Sequence, residues 1–157
     1  MQKGNENVVK NVTSSKILPM YHEAKEWNST MEFYSDSLLG LKNILDHYLD
    51  EILQHENLDE IRECAMLLQD LRYTSGLLLE EIKSHLGELA EFQDKEKEAT
   101  PLLAKEHLEL KKKLAVFQDD FKEIKKEIFS ITEHAIEISK EEKLAVELEK
   151  IKVARNR

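Results

Sequence analysis

Apolar residues recur along most of this chain at alternating spacings of four and three, the rhythm of a helix that buries one seam. The first run is Trp27, Met31, Tyr34, Leu38, Leu41, Leu45, Tyr48 and Ile52, and it predicts a helix over about residues 21–54. The second run predicts a helix over about 57–97 and reads Ile61, Cys64, Leu68, Leu71, Ser75, Leu78, Ile82, His85, Leu89 and Phe92. The third is the most regular: Leu103, His107, Leu110, Leu114, Phe117, Phe121, Ile124, Ile128, Ile131, Ala135 and Ile138 predict a helix over about 101–139. After Ser139 the stripe continues as Leu144, Leu148 and Ile151 on a different face. Either the third helix bends there or a short fourth helix occupies about residues 141–155.

Local signals mark the boundaries. Asn57 is placed to cap the second helix, with Glu60 three residues on in a capping-box arrangement. Thr100-Pro101 supplies a cap followed by proline in the first helical position, where the missing N–H costs nothing. Residues 1–19 are polar and lack a period, which predicts a mobile N-terminal arm ahead of a single helical-bundle domain over 20–157. The expected fold is all-α: an elongated antiparallel three-helix bundle, coiled-coil-like, with a short C-terminal helical extension. Turn centres near residues 56 and 98–99 set its register, placing Trp27 beside His85 and Leu114, Leu41 beside Leu71, and Ile52 beside Ile61.

Composition agrees with helices and narrows the function classes. Charged residues make up 35% of the chain against 4 Gly and 2 Pro, too little turn chemistry for a sheet protein. A net charge of -9, with lysines interleaved among glutamates, argues against a nucleic-acid partner, which needs a positive face. No apolar stretch reaches the roughly 20 residues of a membrane span, and the N-terminal residues never develop the apolar run of a signal peptide. Cys64 is the only cysteine, so no disulfide can close within one chain. A reducing, cytoplasmic location is expected, and the sequons at Asn11 and Asn28 read as chance matches.

The search for chemistry centres on six histidines, because helical bundles hold metals between facing helices. The Glu-x-x-His spacing of di-iron bundles is absent, and His-x-x-x-Glu occurs only as His22 with Glu26 and His47 with Glu51. His85 and His107 fall in the seam, about a turn and a half apart on the expected register. A weak metal or proton-sensitive site could draw on His85, His107, Glu81 and His22. The plainer reading, adopted here, has each imidazole filling a seam position and satisfying one nitrogen with a carboxylate or water. No metal ligand, cofactor-binding residue or catalytic residue is therefore assigned, and no cofactor or small-molecule substrate is implied. Nucleophile, oxyanion-hole and phosphate-loop patterns are missing as well, so an enzyme is not expected.

Leu77, Leu78 and Leu79 spread leucine over about 200° of helix surface, wider than one core contact needs. Either the second helix is central and touches both others, or a dimer interface lies near Leu77. The segment Glu26 to Tyr34, the pair Leu41-Lys42 and the segment Phe121 to Phe129 together resemble uncharacterised bacterial helical-bundle proteins of similar size. That resemblance covers most of residues 20–140 and implies a fold without an activity. The functional expectation is a non-enzymatic interaction or structural bundle whose partner is itself or another protein. The alternative is a metal-binding or sensing bundle of hemerythrin-like architecture.

Overall fold

The computed structural model describes residues 16–156, and the protein is an all-α helical bundle. Four helices run through the described residues: α1 (Ile17–His47), α2 (Leu49–His55), α3 (Leu58–Ala90) and α4 (Pro101–Arg155). None of them is long and apolar enough to cross a membrane. Of the arm expected over residues 1–19, residues 1–15 lie outside the described set, and α1 already begins at Ile17.

The early start of α1 has a visible cause. Its first amides find acceptors outside the helix, Ile17 N–H donating to the Lys97 carbonyl at 3.1 Å and Leu18 N–H to that of Lys95 at 3.0 Å. These groups would otherwise be among the orphan donors of a helix start. Ile17, Met20 and Ala24 then pack with Leu89 and Leu103 in one buried cluster. The same loop explains why α3 stops at Ala90 and not near residue 97. The Lys95 ammonium folds back and donates to the carbonyls of Leu89 and Ala90, at 3.1 and 3.2 Å, caring for acceptors that a longer helix would have satisfied.

Two starts follow the sequence signals closely. The Asn57 side chain accepts from the Asp59 and Glu60 amides at 2.8 and 3.4 Å, and the Thr100 hydroxyl accepts from the Leu103 amide at 3.3 Å. Two other expectations need correction. The first predicted helix is interrupted at Tyr48, whose backbone (φ -102°, ψ 13°) leaves the helical region for one residue before α2 resumes. The ladder is kept on both sides, by Tyr48 N–H to Ile44 and Ile52 N–H to Tyr48. At the other end, α4 neither stops nor restarts near Ser139 but runs for 55 residues to Arg155.

Contacts gather in two compact units. One comprises the described residues up to Ser35 with Tyr73–Asp119, and the other Asp36–Arg72 with the residues from Asp120 onward. In the first, Met31, Leu78, Ile82, Leu110, Leu114 and Phe117 are buried. The Phe117 ring meets Tyr34 edge-on, with centroids 5.8 Å apart. In the second, Leu38, Leu41, Leu45, Ile52, Ile61, Cys64, Leu68, Phe121, Ile124 and Ile128 are buried. Its α4 segment reaches the α2–α3 corner through His134, whose Nδ1 lies 2.6 Å from the Glu56 carboxylate. The seam moves one position within this unit, since Thr132 and Ala135 are buried while Ile131 is only half-buried.

Candidate functional site

The most concentrated polar chemistry lies in the first unit, where three helices bring His85, His107, Glu23 and Trp27 together. His85 Nε2 and His107 Nδ1 are 2.8 Å apart, and His107 Nε2 is 3.1 Å from Glu23 Oε1. Both imidazoles are buried, with 3% and 2% of their surface exposed. Trp27 stacks on the His107 ring at 4.4 Å and 28°. The expected register placed these histidines about a turn and a half apart, and here they touch. The midpoint of the pair is residue 96, earlier than the turn centre expected at 98–99, because α3 ends at Ala90. Trp27 accordingly meets His107, where the longer helix would have set it level with Leu114.

Acceptor chemistry fixes the protons along this chain. Burial lowers the pKa of His107, outweighing the hydrogen bond and charge of Glu23 that pull it upward. The ring is therefore neutral near pH 7, and its contact with Glu23 is a hydrogen bond from an uncharged donor. A carboxylate only accepts, so His107 donates through Nε2, and its Nδ1 must accept. His85 then donates through Nε2, which leaves His85 Nδ1 as a bare lone pair. That atom is buried and has no hydrogen-bond partner among the described residues. The His85 pKa falls to about 4, through burial first and the neighbouring His107 second, against the pull of Glu106.

Beside His85 opens a cleft of about 210 Å³, lined by Glu81, Ser84, Glu88, Glu106, Glu109, Leu110 and Lys113. Glu106 is held above the ordinary carboxylate range by desolvation, then by the charge and hydrogen bond of Glu88. Of the sequence candidates, His85 and His107 are thus joined directly. Glu81 lines the same cleft, but its carboxylate is taken by Lys113 at 3.0 Å. His22 is exposed and sits edge-on to Tyr21 at 6.2 Å, outside this group. Sequence reasoning missed Glu23, Glu88 and Glu106. Glu88 alone carried a local signal, a His-x-x-Glu step that puts both side chains on one face of α3.

The second candidate surface is apolar. Among the leucines of α3, Leu78 is buried, Leu79 half-buried and Leu77 exposed, with Tyr73 exposed one turn before it. More extensive is the end of α4: every described residue from 140 onward is exposed. Leu144, Val146, Leu148, Ile151 and Val153 are each more than half exposed.

No family model, no curated protein and no solved structure matches this chain. What fold and site define is a class: an all-α helical bundle with a buried histidine pair and an uncovered apolar helix end.

Proposed function

We propose that this protein is a non-enzymatic interaction module, an antiparallel three-helix bundle that pairs with a second copy of itself through the end of α4. The observation that carries this reading is the exposed apolar run of residues 140–156. Leu144, Leu148 and Ile151 follow the four-and-three spacing of a coiled-coil seam, yet among the described residues no helix of the same unit covers them. A stripe of this kind on a continuous helix is what a partner helix buries.

Charge selects the partner and its direction. Residues 140–149 carry Glu141, Glu142, Glu147 and Glu149 against Lys140 and Lys143, and residues 150–156 carry Lys150, Lys152 and Arg155. Two copies in parallel would set like charges side by side. Two antiparallel copies set the acidic half against the basic half and bring Leu144 of one opposite Ile151 of the other. The bundle itself is supported by the two caps, the short connections and the buried seam. Leucine on both flanks of Leu78 fits a central α3, so Leu77 is the secondary interface candidate.

Sedimentation equilibrium of the full chain tests the reading. The expected result is a dimer with micromolar affinity, of the weak class with a small interface, converted to monomer by Leu148→Glu and unchanged by Leu77→Glu. A monomer persisting to about 100 μM, well above that range, would refute self-pairing. A dimer lost on Leu77→Glu and kept on Leu148→Glu would move the interface to α3.

A further inference from the structure

We propose that His85, Glu88 and Glu106 form a binding site for a first-row divalent transition-metal ion of the zinc, manganese or iron kind. The inference goes beyond self-pairing, since these residues belong to the first unit and the end of α4 to the second.

Geometry is the first support. One donor atom from each of the three residues lies within 4.8 Å of the others. Ligands that surround an ion at about 2.0–2.2 Å need that degree of convergence. His85 and Glu88 share a face of α3 one turn apart, and Glu106 comes from α4, so two rigid elements hold the set.

The second support is independent of the carboxylates. His85 is 3% exposed, lines the cleft, and keeps one buried nitrogen without a partner among the described residues. A buried polar atom left in this way is costly, so its placement calls for a ligand. Its tautomer is also the required one. With Nε2–H given to His107, and His107 Nε2–H given to Glu23, the lone pair of His85 points out of the chain of donors through Nδ1. Metal-bound histidines are oriented by such an outer hydrogen bond, which also raises their basicity. Glu23 and His107 are thus positioning residues for His85.

The donor set decides the class of ion. One imidazole with two carboxylates suits zinc, manganese and ferrous iron, whereas magnesium and calcium favour oxygen alone. Glu88 and Glu106 bring two carboxylates within 4.8 Å of one another beside the imidazole, a like-charge approach that a divalent ion offsets.

Calorimetric titration of the metal-free full chain with Zn²⁺ and with Mn²⁺ tests the site. We expect one ion per chain. Glu88→Gln and Glu106→Gln, both on partly or fully exposed side chains that leave the core intact, should each weaken binding at least 10-fold, and Glu23→Gln should do so by roughly 10–100-fold. His22→Ala and Leu148→Glu should leave it unchanged, which separates this site from the pairing surface. Binding that survives both glutamine variants, failure to saturate below about 1 mM, or displacement by equimolar Mg²⁺ would each overturn the proposal.

Discussion

Each buried polar side chain in this bundle poses the same question, namely which atom satisfies it. His107 answers with both nitrogens, one on His85 and one on Glu23. Thr132 does not: its hydroxyl oxygen is buried without a hydrogen-bond partner among the described residues. Replacing it by the nearly isosteric valine removes an unmet polar group, so Thr132→Val should stabilise the protein by about 1 kcal/mol. Thermal unfolding would register this as a rise of a few degrees, and a fall would show that the hydroxyl contributes a bond in solution. Cys64 presents the opposite case, a sulfur that behaves as a small apolar side chain. Burial first, and the charge of Glu127 second, push its thiol from 9.0 up to about 11. At pH 8 its thiolate should be roughly 100-fold scarcer than that of an ordinary cysteine. Disulfide-exchange labelling is expected to wait for denaturant, and rapid stoichiometric reaction of the native protein would contradict this burial.

Within the helices, the residues at the ends explain more than the residues in the middle. Asn57 and Thr100 cap as their sequence positions imply, because a cap is a local hydrogen bond across two or three residues. The end of α3 is not local: it depends on Lys95 folding back onto Leu89 and Ala90 while the loop backbone accepts from α1. Glycine in a helix interior gives a further test. Gly76 lies within α3, and a methyl group there would meet nothing within 4 Å. Gly76→Ala should therefore stabilise the protein by about 0.5–1 kcal/mol, the helix-propensity difference alone. Denaturant unfolding would show a higher midpoint at unchanged slope. A lower midpoint would indicate that this face of α3 is occupied by another surface.

At the scale of the whole chain, the two proposed sites fall in different units. The cluster around His85 belongs to the first unit and the apolar end of α4 to the second. The electrostatic part of the proposed pairing rests on exposed charges, so raising salt well above physiological strength should weaken it several-fold while leaving the apolar contribution. Pairing also depends on protein concentration, whereas ion binding at His85 within one chain does not.

The heptad seams were legible in the sequence nearly residue by residue, down to the buried positions of Ser75, His85 and His107. Periodicity is a property of one helix, and burial follows from it. Two helix starts were legible for the same reason. The contact between His85 and His107 was not, since it depends on where α3 ends and so on a lysine six residues beyond its last core leucine. A shift of a few residues in one turn changes which side chains of two helices stand level, and no single-helix pattern records it. The slip at Thr132 and the unbroken course of α4 belong with it. The sequence by itself determined that there are helices, which face of each is buried and where two of them begin. Tertiary structure alone decided the level of one helix against another, and with it the set of His85, Glu88, Glu106, His107 and Glu23, because register is fixed by contacts between segments distant in the chain.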